Sequence, residues 1–314
     1  MLNLLDKLKK DQIMAPYVWD NMSCASAKTG GAEVAVVSEA SVSRWAVGYP
    51  DCGLLTADDM VRATDYIKGN IDICLCVEAR DCYGETPVHA YRTCERLIKA
   101  GADAVIIDDS TDWKSNKKDD GSIRLDGTMK DIPVERRIWL AKLKAAIEAS
   151  KEFGPKFTIV ARTNALAFYG LEEAITRCQL ATELGIPVTC IRGLSSIEEA
   201  RLFASKVSGI KMWDCLTSHD GISEVEVLEL EELNYKLVTA HILEKAAIAG
   251  MIDFGKHAYN EKSLIYHDTH MLGMKKEDMV QGVLGMVPKK FTPRPDRYVS
   301  REPDFWKDLP GENK

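Results

Sequence analysis

The chain has 314 residues, 46% hydrophobic and 28% charged, the make-up of a globular protein with one large domain or two smaller ones. A formal net charge of −7 repels phosphate and argues against a general nucleic-acid or membrane-surface binder. No apolar run is long enough to span a bilayer and Met1-Leu2-Asn3 opens no signal-peptide pattern, so a cytoplasmic protein is expected. The nine cysteines are odd in number, scattered and mostly inside apolar runs, as with Cys74, Cys76 and Cys190. They read as small core hydrophobes in a reducing compartment, with no C-x-x-C pair and no zinc spacing.

Short apolar runs rich in β-branched residues alternate with stretches of helical period. Strands are predicted at Ile13–Val18, Glu33–Ser38, Ile71–Glu78, Ala104–Asp108, Phe157–Arg162, Pro187–Arg192, Ile210–Trp213 and Lys236–Ala240. Helices are predicted between them at Ala57–Ile67, Pro87–Ala100, Val134–Glu152, Leu171–Leu184 and Ser196–Val207. Thr56 and Ser196 suit helix starts, and Gly101, Gly185 and Gly209 suit helix ends. Eight strands alternating with helices over about 250 residues fit a (β/α)8 barrel better than an open sheet, which would more often carry a Gly-rich phosphate fingerprint after its first strand. Helical signals continue at Ile242–Ile252 and Lys276–Met286, and the end of the chain is charged and broken by Pro293, Pro295, Pro303 and Pro310. The expected organisation is an α/β barrel over residues 1–252, with a C-terminal helical arm and Pro-rich tail over 253–314 that form an oligomer.

In such a barrel, catalytic groups belong at the carboxyl ends of the strands. The continuous apolar run Ile73–Val77, read as a strand buried on both faces, leads into Glu78-Ala79-Arg80-Asp81-Cys82-Tyr83-Gly84. Other strand ends carry Ser38-Glu39, Asp108-Asp109, Arg162-Thr163-Asn164, Arg192 and Asp214, and Asp51 follows Gly48-Tyr49-Pro50 on the same side. Glu78, Asp108 and Asp51 are oxygen donors suited to Mg²⁺, which keeps several of its waters. Arg162 and Arg192 suit capture of a carboxylate or phosphonate. The alternative is a set of ion pairs that close the barrel with no chemistry. Between Asp109 and Ile132 runs a long polar stretch, read as a loop with no structure of its own; its place after an acidic strand end favours a lid, with Lys114 and Asn116 reaching the substrate. His241 is read as a rim or core histidine, His267 and His270 as surface or interface groups, and Cys82 as a space-filling residue.

The pattern resembles the isocitrate lyase/phosphoenolpyruvate mutase superfamily over about residues 10–250. Ser38 with Gly48-Tyr49-Pro50-Asp51-Cys52-Gly53 resembles its Ser-Gly…Gly-x-Pro-Asp-x-Gly segment. Glu78-Ala79-Arg80-Asp81-Cys82-Tyr83-Gly84 resembles its Asp-Ala-Asp-x-Gly-Tyr-Gly metal motif. Ile107-Asp108-Asp109 resembles Ile-Glu-Asp, and Ala161-Arg162-Thr163-Asn164-Ala165 resembles Ala-Arg-Thr-Asp/Glu-Ala. The resemblance implies an α/β barrel, Mg²⁺ on Glu78 and Asp108, a small anionic substrate, enolate-type lyase or mutase chemistry, and a homotetramer or homodimer with exchanged C-terminal helices. The Ser38 and Glu39 amides would hold an oxyanion, with Arg162 as the carboxylate clamp and Lys114 and Asn116 closing over the leaving group. The loop lacks the Cys and His of the isocitrate lyases, and Trp113-Lys114-Ser115-Asn116-Lys117 is nearer the phosphonate and oxaloacetate enzymes. Three residues depart from the pattern: Arg80 replaces the second acid of the metal motif, Glu39 replaces a Gly, and Arg192 replaces a Glu or His. Either Arg80 pairs with Glu39 or Asp81 and swings clear of Mg²⁺, or the cation is weakened or lost and Arg80 and Arg192 bind the substrate's anions themselves. The substitutions also admit a second reading, a catalytically altered barrel serving as a ligand-binding or assembly subunit.

Overall fold

The computed structural model describes residues 3–115 and 130–271. Its centre is a closed eight-stranded barrel of β1 (Ile13–Val18), β2 (Val34–Val37), β3 (Cys74–Glu78), β4 (Ala104–Asp108), β5 (Thr158–Thr163), β6 (Val188–Ile191), β7 (Ile210–Trp213) and β8 (Tyr235–Ala240). Every neighbouring pair is parallel, and β1 closes the ring against β8. The predicted strands are all present, with ends displaced by three residues or fewer. The helices Ala57–Asn70, Pro87–Lys99, Arg136–Phe153, Leu171–Glu183 and Ile197–Lys206 follow the predicted order. Thr56 and Asp59 form a reciprocal cap on the first, and the Ser196 side chain caps the last by accepting from Glu199 N. Gly101 and Gly185 leave their helices at φ +94° and +91°, a region that side-chain-bearing residues rarely adopt.

Parallel strands covered by helices are apolar on both faces, and alternate residues divide between barrel interior and helix layer. The interior series holds Ala15, Val34, Val36, Cys74, Cys76, Ala104, Ile106, Val160, Val188, Cys190, Met212 and Leu237, all fully buried. Leu4 and Leu8 from the N-terminal helix Leu4–Lys10 join the same cluster. Residues of opposite phase, such as Ala35, Val37, Leu75, Val77, Val105 and Ile107, pack toward the helices. Burying one such side chain contributes about 1.5–3 kcal/mol. All nine cysteines are free, consistent with their reading as small core residues.

Three segments differ from the sequence reading. Asn21–Thr29 is helical, opened by a reciprocal Asp20–Ser23 cap that its weak amphipathicity concealed. The stretch after β4 is not structureless: Ser110–Ser115 pairs antiparallel with Lys130–Pro133 in a two-stranded ribbon. The helix from Ile242 runs on to Glu261, through residue 252 where the barrel was expected to end. The predicted helix 276–286 and the Pro-rich tail lie outside the described residues, as does Asn116. No helix among the described residues is long and apolar enough to cross a membrane.

Candidate active site

Along each strand the interior series changes character at its carboxyl end. Val34 and Val36 lead to Ser38, Cys74 and Cys76 to Glu78, Ala104 and Ile106 to Asp108, Val160 to Arg162, Val188 and Cys190 to Arg192, and Met212 to Asp214. A period of two therefore carries six polar groups into one barrel mouth. Arg162 is buried at its centre. Its Nε and Nη2 donate to the two oxygens of Asp108 at 2.7 and 3.0 Å, and its Nη1 donates to Glu78 at 2.6 Å and Asp214 at 3.0 Å. A guanidinium has five N–H donors, so these bonds use four of them and leave one on Nη2.

The remaining strand ends close around this centre. Asp214 also accepts from the Tyr17 hydroxyl at 2.9 Å and lies 3.4 Å from Arg192 Nε. Burial acts to raise the Asp214 carboxyl, but Arg162 and Arg192 more than offset it and hold it below the usual range. Tyr17 is pushed well above the ordinary phenol range, first by burial and then by Asp214. Its ring stacks on His241 with centroids 4.1 Å apart, which places His241 on the rim as expected. Arg192 Nη1 donates to Asp131 at 2.6 Å and so ties the ribbon base to β6. The Arg192 side chain as a whole is 42% exposed. Asp109 faces away from this centre toward Arg177, Thr163 and the Asn164 amide, and burial raises its carboxyl.

The exit from β3 is held in unusual backbone. Arg80, Cys82 and Tyr83 have φ of +41°, +67° and +59°, and non-glycine residues there cost on the order of 1 kcal/mol each. Supporting bonds fix the turn: Lys142 Nζ donates to the Asp81 carbonyl at 2.9 Å, Thr93 Oγ1 to the Cys82 carbonyl at 3.0 Å, and Asp108 N to the Arg80 carbonyl at 2.7 Å. The turn directs the Arg80 side chain into a buried position, with Nε 3.7 Å from Glu39 Oε1 and 3.5 Å from Asp81 Oδ1. Burial opposes that charge, and Glu39, Asp81 and Asp131 outweigh it. Cys82 is buried, and burial raises its thiol well above the ordinary range, which suits the space-filling role.

The structure gathers Glu78, Asp108 and Arg162, with Arg192 at the edge and Arg80 beside Glu39. Other expectations are corrected. Neither amide expected to hold an oxyanion is vacant, because Ser38 N donates to the Val18 carbonyl at 2.9 Å and Glu39 N to Glu78 Oε2 at 3.0 Å. Arg162 cannot act as a two-pronged clamp, because its donors are already taken by acids. Asp51 is not among those acids and lies 4.0 Å from Arg44. Lys114 sits on the ribbon opposite Asp131 in backbone register. Three groups escaped the sequence reading. Tyr17 and Thr239, whose Oγ1 donates to the Tyr17 hydroxyl at 3.1 Å, share the interior phase of Ala15 and Leu237 and were findable from it; Asp131 comes from the ribbon and was not.

Glu78 and Asp108, the donors expected for Mg²⁺, are bridged by one guanidinium, and a second guanidinium stands at Arg80. Among the described residues there is no group of three Asp, Glu, His or Cys side chains placed to hold a metal. The donor set therefore does not fit a divalent ion as it stands.

Residues 5–255 match the family model described as phosphoenolpyruvate phosphomutase. The petal death protein of Dianthus caryophyllus is 33% identical over 201 residues, 64% of this chain and 59% of that protein, so the chain spans less than two thirds of it. The 2-methylisocitrate lyase of Aeropyrum pernix is 30% identical over 230 residues, 73% of this chain and 70% of that one. The crystal structure of 2,3-dimethylmalate lyase superposes with a TM-score of 0.73 at 22% identity, covering 91% of this chain and 95% of that one. Phosphonopyruvate hydrolase, solved with oxalate and Mg²⁺, gives 0.72 at 18% identity, covering 90% and 93%. At these identities the two structures speak for the fold alone. The length of the family match settles the membership: this chain belongs to the phosphoenolpyruvate phosphomutase family.

Proposed function

We propose that the protein is a lyase or mutase acting on a small 2-oxo or phosphono carboxylate through an enolate-type intermediate. The observation that carries this reading is the barrel mouth itself, where Arg162 holds Glu78, Asp108 and Asp214 beside the partly exposed Arg192 side chain. Arg192 supplies a receptor for one anionic group of the substrate. The remaining Nη2–H of Arg162 and its delocalised charge lie where negative charge develops on an enolate oxygen. The carboxylates around Arg162 provide a proton acceptor, and Tyr17 orients Asp214. Lys114, and Asn116 two residues on in the sequence, are assigned to closure over the leaving group.

The relatives supply the candidate substrates: 2-methylisocitrate, 2,3-dimethylmalate, oxaloacetate and phosphonopyruvate. Incubating each with the protein and following ¹H and ³¹P NMR tests the reading. Cleavage or rearrangement of one of them is expected, with Arg162→Ala abolishing it; unchanged turnover in that variant overturns the assignment. A second reading, a ligand-binding barrel without turnover, is favoured by the engaged Ser38 and Glu39 amides. It gains support if none of the four reacts while oxalate still binds.

The reading extends to assembly as a homotetramer or homodimer in the cytoplasm, where reducing conditions suit nine free thiols. The helix Ile242–Glu261 buries none of its residues and exposes Ile242, Ile248, Met251 and Ile252, which supports a second copy of the chain as its cover. Light scattering that returns a monomer mass contradicts this part.

A further inference from the structure

We infer that this site takes its anionic ligand without a divalent cation, the buried Arg80 and Arg162 guanidiniums standing in the ion's place. The inference rests on the proposed small-anion substrate and adds which positive charge receives it. Arg80 occupies the position of the metal motif's second acid, and its side chain is only 3% exposed. It is placed there by a left-handed backbone turn whose carbonyl is bonded to Asp108 N. A strained turn that aims a fixed cation between Glu39 and Asp81 is a built feature, since a guanidinium keeps its proton throughout the accessible pH range.

The other two positions of the motif point the same way. A divalent ion held directly by Glu78 and Asp108 would compete with Arg162 for both. It would leave that guanidinium buried with Asp214 as its remaining recorded acid, and place a double positive charge in the same mouth as Arg80. Arg80 and Arg162 already bring two positive charges to this mouth, and Arg162 keeps one N–H on Nη2 for an anion such as oxalate. Arg192 adds a third at the rim.

Calorimetric titration of oxalate into the full chain, once with excess EDTA and once with excess MgCl₂, tests this. The dissociation constants are expected to agree within about twofold, and Arg80→Gln is expected to weaken binding about tenfold in both conditions. Arg80→Asp, which restores the second acid, is expected to make oxalate binding depend on Mg²⁺. Binding by the wild type that disappears in EDTA, or tightens about tenfold with Mg²⁺, overturns the inference but leaves the small-anion site standing. No oxalate binding in either condition overturns both. Unchanged affinity in Arg80→Gln removes Arg80 from the account, and the two wild-type titrations decide the rest if that variant does not fold.

Discussion

The two halves of the barrel interior are built from the same eight strands and have opposite chemistry. The half nearer the strand starts holds an apolar cluster, Val34, Cys74, Ala104, Val188, Met212 and Leu237 among it, closed below by Leu4 and Leu8. The half at the carboxyl ends holds Glu78, Asp108, Arg162 and Asp214, whose side chains are at most 9% exposed and are joined by hydrogen bonds. Apolar packing stabilises in proportion to buried area and needs no particular partner. Buried charge offsets its desolvation only when the geometry is complete, so removing one member leaves the others uncompensated. The lower half is tolerant and holds the fold. The upper half is intolerant of single losses.

Substitutions at Arg162 should break the comparison most sharply. Arg162→Ala leaves three acids without their shared partner, and we expect turnover to vanish and stability to fall by about 3–5 kcal/mol in urea denaturation. A loss below about 1 kcal/mol would show that the network is solvated and not a structural unit. In the apolar half, Leu8→Ala should cost about 2–4 kcal/mol by cavity formation while oxalate affinity stays unchanged. A matching loss of affinity would mean that the halves are coupled.

Acid should separate them further. Glu173, held down to about 2 by its hydrogen bond to Arg136, also braces Arg177, which holds Asp109. A carboxyl lowered in the folded state contributes stability that is complete above its ordinary value of 4.5 and is lost as pH falls toward 2. On the order of 2 kcal/mol should disappear across that window in the wild type and be absent from Glu173→Gln at every pH. Equal acid sensitivity of wild type and variant assigns the loss elsewhere.

Most of the fold was legible because interior strands need apolar runs, and the runs from Ile13 to Ala240 are separated by clean helix caps at Thr56 and Ser196. The strand ends were legible for the same reason, since a charge closing an apolar run has to be explained. What the sequence concealed was pairing. Arg162 reads as a cation free for substrate, and only its three-dimensional neighbours show four of its five donors already occupied. Tyr17 escaped notice because it closes no charged motif, although alternation from Ala15 places it in the interior. Asp131 reaches Arg192 from a ribbon whose pairing spans the chain on either side of residues 116–129, a contact that no local pattern announces.

The account stands or falls on whether the arginine-lined mouth receives a small dianion. Oxalate titrated calorimetrically into the wild type and into Arg192→Ala measures this directly, because Arg192 is the most exposed of the three arginines and makes no bond to Arg162's acids Glu78 and Asp108. We predict binding by the wild type and a loss of about tenfold or more in the variant. Equal affinity in the two proteins would contradict the placement of the site.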